Sequence, residues 1–150
     1  MPQRLRFCVA AQTLAVETEM ALDTKAPTMT YDAPVKDLYE MGEMPPLGHV
    51  PKQMYGWILR QERHGEPTEA LKVEVVDTPK LDSHDVLVMV MAAGVNYNGV
   101  WACLGQPVSV FLQHKAPYAV IGSDAAGIVW AVGDKVSRWK VGDEVVVHCN

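Results

Sequence analysis

Apolar and polar positions divide the chain into two textures. Residues 1–33 hold no sustained period of either kind and read as a disordered leader or tail. "PVKDLYEMG" (Pro34–Gly42) has a proline at its start and a glycine at its end, which predicts a short helix. "EMPPLGHVP" (Glu43–Pro51) must then be extended, because each proline biases the residue before it away from the helical region. From Lys52 onward the texture is that of strands. "MYGWILR" (Met54–Arg60) reads as one, and "ALKVEVVD" (Ala70–Asp77) alternates as another. "DVLVMVMAAGV" (Asp85–Val95) is apolar without alternation, so both of its faces are expected to be covered.

Tyr118–Asn150 holds two strands or more, punctuated by glycine. Inside it "VGDKV" (Val132–Val136) echoes "VGDEV" (Val141–Val145), nine residues on. Gly-Asp ahead of a β-branched run is turn chemistry, with the glycine expected at positive φ. Trp139, between the two turns, is expected to plug the core. Short strands with such turns predict a mainly β fold with short helices, a small and partly open barrel over residues 34–150.

Composition narrows the class. The 150 residues suffice for one domain, and 49% hydrophobic with 21% charged residues is ordinary for a globular chain. A net charge of −5 with no basic stripe argues against nucleic acid as a partner. No apolar run reaches the roughly 18 residues of a membrane span. The N-terminus mimics a signal peptide, but Gln12 and Thr13 interrupt its apolar patch. Glu17 and Glu19 then stand where small cleavage-site residues belong, and Met20 offers an alternative start. Cys8, Cys103 and Cys149 are odd in number, far apart and without a CxxC rhythm, which predicts free thiols in a reducing, cytoplasmic compartment.

The chemistry concentrates in "AAGVNYNGVWACLG" (Ala92–Gly105), where an apolar strand ends in two carboxamides around a phenol: Asn96, Tyr97 and Asn98. Buried polar groups need partners, so these three ask for a purpose. A carboxamide N–H is a fixed, uncharged donor. The ordinary alternative is an asparagine that satisfies a turn. His49, His64, His84 and His114 stand singly and read as surface histidines. His148 and Cys149 are neighbours on a strand, so they point to opposite faces, and with Cys103 they read as packing residues. No GxGxxG follows a strand, so no dinucleotide-binding domain is expected within these residues.

"GSDAAGIVWAVGDKVSRWKVGDEVVVHC" (Gly122–Cys149) resembles the "GxExxGxVxxVGxxVxxxxxGDxV" segment of the medium-chain dehydrogenase/reductase superfamily, whose catalytic domain begins as a GroES-like barrel. Within that superfamily "YEMGEMPPLGHVP", "RQERHGEP" (Arg60–Pro67), "MAAGVNYNGVWA" (Met91–Ala102) and "RWKVGDEVVVHCN" (Arg138–Asn150) resemble crotonyl-CoA carboxylase/reductases. The resemblance covers roughly residues 30 to 150. It implies an oxidoreductase in which NADPH delivers hydride to crotonyl-CoA and the resulting enolate fixes CO2, giving ethylmalonyl-CoA. It implies that Asn98 matches the asparagine that contacts CO2, with Asn96 and Tyr97 supporting the loop through backbone hydrogen bonds.

Zinc-dependent relatives place a cysteine where Asn96 stands and a histidine where Ser123 stands, so no zinc is expected. A truncated N-terminal fragment is the implied state of the chain, with the NADPH-binding domain and the remaining carboxylation residues outside it. Such a fragment would be inactive alone and homo-oligomeric as a full-length enzyme. Two other readings stay open. One is a non-carboxylating, zinc-independent enoyl-CoA or quinone reductase, against which "NYNGVW" argues. The other is a stand-alone GroES-like interaction module.

Overall fold

The computed structural model describes residues 5–8, 34–112 and 116–147. Its elements are β1 (Leu5–Cys8), β2 (Gln53–Leu59), α1 (Pro67–Ala70), β3 (Lys72–Asp77), β4 (Val86–Ala92), α2 (Tyr97–Leu104), β5 (Ala119–Val120), β6 (Ala125–Val132) and β7 (Glu144–Val147). They form a four-stranded sheet in the order β1-β4-β6-β7 and a three-stranded sheet in the order β3-β2-β5. All neighbours are antiparallel except β1 and β4, which run parallel. The fold is mainly β, as expected, and neither sheet closes on itself. Among the described residues no helix is long and apolar enough to cross a membrane.

The core explains why β4 carries no polar alternation. On one face Leu87 meets Met54, Ile58 and Val76 of the other sheet. On the opposite face Val86 and Val88 pack with Val129, backed by Val136, Trp139 and Val145. With successive side chains pointing to opposite sides, both sides of β4 are lined by apolar groups. Val86 through Val90 are all buried.

Four details depart from the sequence-based expectations. Leu5–Cys8, inside the segment read as a tail, is a strand paired with β4; the rest of residues 1–33, Met20 included, lies outside the described residues. Pro34–Gly42 is a bend closed by a turn and not a helix. A helix that short has little stability of its own, and side-chain bonds hold the bend instead. The Tyr39 hydroxyl donates to the Pro34 carbonyl at 2.8 Å and accepts the Lys36 N–H at 3.0 Å.

Gly142 has the expected positive φ (95°), but Gly133 does not appear among the positive-φ glycines. A Cβ on Gly133 would collide with the Asp82 and Ser83 carbonyl oxygens, so close approach is what requires glycine there. Trp139 is only half-buried and carries the Arg138 guanidinium 5.0 Å above its ring. The tryptophan that plugs the core is Trp130, 1% exposed.

One ion cluster fastens the β2–β3 hairpin. Glu74, across from Gly56, accepts from Arg60 Nη2 and from Arg63 Nη2, each at 2.6 Å. Hydrogen bonding by Arg60 first, and then by Arg63, holds the Glu74 carboxyl below the ordinary carboxylate range. A depressed native value means that the stabilisation is complete above the unfolded range, near pH ~4.3, and is lost as pH falls through the native value. Glu74→Gln should therefore lower the melting temperature at neutral pH and flatten its decline on the acid side. Thermal melts from neutral into acid pH check this, and an unchanged acid-side slope would refute it.

Candidate functional site

β4 leaves the core at Val90, and the chain reaches the surface through Ala93–Val95 before α2 begins. Asn96 is the residue ahead of the helix, with the extended backbone (φ −119°, ψ 151°) usual at that position. Toward its other end α2 is anchored by Cys103, fully buried with Leu59 and Ala70. That burial pushes the Cys103 thiol up, away from the reactive thiolate. Cys103 is a packing residue, as expected. His114, His148, Cys149 and the Cys8 side chain lie outside the described residues.

With one end of α2 pinned, the polar end stands clear. Asn96, Tyr97 and Asn98 are all exposed, so the carboxamides do not occupy a buried pocket within this chain. Tyr97 packs edge-on against Trp101, ring centroids 5.5 Å apart. The Asn96 carbonyl accepts the Gly99 amide at 3.0 Å, and the Asn96 side chain makes a longer-range bond. Its Nδ2 donates to Asp124 Oδ2 at 2.6 Å, and its side chain makes no helix-capping bond. Asp124 immediately precedes β6, and its Oδ1 accepts from the Ser123 hydroxyl at 3.3 Å. The positions singled out for their departure from a zinc-ligand pattern, Asn96 and Ser123, thus converge on one carboxylate. Beside them runs an open hollow with mostly apolar walls, lined by Ala92, Gly94, Asp124, Ala126 and Val146 among others.

Among the described residues, His49, His64 and His84 are not solitary surface groups. His64 Nδ1 lies 2.9 Å from the Cys103 carbonyl oxygen and Nε2 lies 2.9 Å from Ser109 Oγ. A carbonyl only accepts, so Nδ1 carries a proton toward Cys103, and Nε2 pairs with the Ser109 hydroxyl. Phe111 closes edge-on over the ring at 5.5 Å. His64 therefore ties the "RHGEP" segment to the end of α2. His49 Nε2 donates to the Lys36 carbonyl at 3.0 Å, and His84 Nδ1 lies 3.1 Å from Ser83 Oγ. Sequence reasoning passed over Asp124 as a partner. The available signal was an acidic residue directly ahead of the apolar run "AAGIVWAV", a position that calls for a donor nearby.

Comparison with known proteins joins this geometry to a family. The alcohol dehydrogenase GroES-like domain matches residues 82–150. A crotonyl-CoA carboxylase/reductase of Cereibacter sphaeroides is 72% identical over 131 residues, 87% of this chain and 30% of that protein. Over most of its length the chain is therefore similar to crotonyl-CoA carboxylase/reductases. A solved crotonyl-CoA carboxylase/reductase superposes with a TM-score of 0.74 at 63% identity, over 76% of this chain and 27% of that one. Another, solved in complex with NADP, gives 0.69 at 55% identity, over 75% of this chain and 29% of that one. The chain thus spans about three tenths of the length of these relatives. Its fold is that of the GroES-like N-terminal part of a medium-chain dehydrogenase/reductase.

Proposed function

We propose that the chain supplies the CO2-binding part of an NADPH-dependent reductive carboxylase that converts crotonyl-CoA and CO2 to ethylmalonyl-CoA. The observation that carries the reading is Asn98, an exposed carboxamide on the first turn of a helix held firmly at its other end. The 72% identity to a crotonyl-CoA carboxylase/reductase supports the substrate class.

The bound NADPH supplies a hydride to the β-carbon of the enoyl thioester; no residue of this chain is assigned to holding it. The task left to the chain is to present CO2 to the α-carbon of the enolate before a proton from water arrives there. A cationic side chain at this place would gather bicarbonate and other anions. The Asn98 Nδ2–H donates to a CO2 oxygen without that cost in selectivity. As the new carbon–carbon bond forms, negative charge moves onto the CO2 oxygens, and a donor already in place stabilises it.

Asn96 and Tyr97 support the loop. We extend the reading to a cytoplasmic, homo-oligomeric enzyme. A zinc-independent mechanism fits the carboxamide of Asn96 and the hydroxyl of Ser123, both poor zinc ligands.

Replacement of Asn98 by leucine in the complete enzyme tests the assignment. Loss of one neutral donor costs about 1 kcal/mol, and ~1.4 kcal/mol is a tenfold rate change. The product ratio at limiting CO2 should therefore move several-fold toward the merely reduced acyl-CoA, while NADPH consumption falls less. Quantifying both acyl-CoA products reads this directly. An unchanged ratio would remove Asn98 from the CO2 site and leave a non-carboxylating reductase as the better account.

A further inference from the structure

We propose that Asp124 is a positioning residue that fixes the start of α2 through Asn96, and so sets where Asn98 stands. The functional half of this rests on the reading of Asn98 given above; the structural half does not.

The argument begins with an anomaly. Asparagine ahead of a helix ordinarily turns its side chain back onto the first-turn amides, yet Asn96 makes no such bond. Its carboxamide is drawn to the Asp124 carboxylate at 2.6 Å, 28 residues away in sequence. A bond to a charged acceptor is the stronger of the two choices. It ties the β4–α2 loop to the residue ahead of β6, a strand whose first half is paired on both sides, with β4 and with β7.

A second observation points the same way. A Cβ on Gly94 would lie 2.7 Å from Asp124 Oδ2 and 3.6 Å from Asp124 Cβ. The carboxylate therefore occupies the space that a side chain at position 94 would fill, and any larger residue there would push it off Asn96. Ser123 donates to the other oxygen at 3.3 Å, which limits rotation of the carboxylate. The carboxylate thus bonds Asn96 at the helix start and Ser123 beside it, with the loop at Gly94 close against it.

Geometry then carries the effect to Asn98. The Asn96 carbonyl accepts the Gly99 amide at 3.0 Å, closing the first helical turn around Tyr97 and Asn98. Cys103 holds the far end in the core. Asn98 sits between a buried anchor and the Asp124–Asn96 bond, so release of that bond frees the turn that carries it.

The test uses the complete enzyme with Asp124→Ala, Gly94→Ala and the exchange variant Asn96→Asp with Asp124→Asn, which rebuilds one carboxylate–carboxamide bond with its ends reversed. Two readouts are taken on each. Hydrogen exchange at the Gly99 and Val100 amides reports the helix start independently of chemistry. The ratio of carboxylated to reduced product at limiting CO2 reports its consequence. We expect exchange about tenfold faster in Asp124→Ala and in Gly94→Ala, and a return toward the parent rate in the exchange variant. The product ratio should shift several-fold in the single variants, in the direction of Asn98→Leu, and recover in the exchange variant.

Unaltered exchange in Asp124→Ala, or an exchange variant as loose as the single ones, would overturn the proposal. Exchange that loosens and recovers while the ratio stays fixed in these variants, but moves in Asn98→Leu, would overturn the link from Asp124 to Asn98. A ratio unmoved even by Asn98→Leu would fail the functional reading, and the exchange data would still decide whether Asp124 holds the helix.

Discussion

Gly127→Ala should remove a large part of the stability of the fold. Gly127 stands opposite Val90 where β4 and β6 change register. A Cβ there would collide with the Met89 carbonyl oxygen and would lie 2.9 Å from the Met89 carbonyl carbon and 3.1 Å from Val90 Cα. All three atoms are backbone. A side chain can swing away from an intruding methyl group, but backbone moves only if the strands part. The pairing at stake joins the two central strands of the larger sheet.

Overpacking of a core typically costs about 1–3 kcal/mol, occasionally more. With no rotamer to yield, the cost here should reach roughly 4 kcal/mol, a large part of the ~5–15 kcal/mol that holds an ordinary domain together. Gly99→Ala serves as the contrast. Gly99 lies in α2 and its added methyl group would touch only an Ile121 methyl at 3.4 Å, so helix propensity should make the change neutral or slightly stabilising. Urea unfolding of the two variants against the parent measures both. Equal midpoints for Gly127→Ala and the parent would show that β4 and β6 have room that their geometry denies.

This glycine also shows how far the sequence could be read. The pattern "GxExxGxVxxVGxxVxxxxxGDxV" led to the right fold, and its glycines occur here at Gly122, Gly127, Gly133 and Gly142. Their reasons could not be read from the pattern. Gly142 needs positive φ, whereas Gly127 and Gly133 need space against backbone of a strand or turn some 40–50 residues earlier. A local signal can report the first kind of constraint but not the second. Strands were legible for the same reason. Continuous apolarity in Val86–Val90 follows from cover on both faces. The alternation in Lys72–Asp77 marks a strand but not its covered side, since Val73 and Val75 are exposed and Val76 is buried.

The Pro34–Gly42 helix failed because Tyr39, Lys36 and Glu43 satisfy that segment by side-chain bonds, which no periodicity records. At the site, Asn96, Tyr97 and Asn98 were legible as a group from residue chemistry. The role of Asn96 was not, because its partner Asp124 is brought to it only by the pairing of β4 with β6.

Trp130→Ala should be the most damaging side-chain truncation in the chain, and its two components can be separated. The indole is 1% exposed and packs with Met89 and Ile128 on one face of the larger sheet, with Met44 and Val50 laid over it. Its Nε1–H donates to the His49 carbonyl at 2.8 Å, across 81 residues of sequence. That bond fastens the proline-rich Glu43–Pro51 segment, which has no strand or helix of its own, onto the sheet. Truncation to alanine removes the packing and the bond together, and a buried tryptophan lost in this way costs about 3–5 kcal/mol.

Trp130→Phe keeps most of the apolar volume but removes the donor, leaving the His49 carbonyl without it, at about 1–3 kcal/mol. The two variants should therefore differ in kind. Alanine should lower the urea midpoint of the whole domain. Phenylalanine should lower it modestly and should speed hydrogen exchange chiefly in the His49–Gln53 amides, because only the strap over the sheet is released. Equal loss of stability in the two variants would mean that the hydrogen bond, and not the packing, holds Trp130 in place. Unchanged exchange over Glu43–Gln53 in Trp130→Phe would mean that the strap is fixed by His49, Tyr39 and Lys36 without help from the indole.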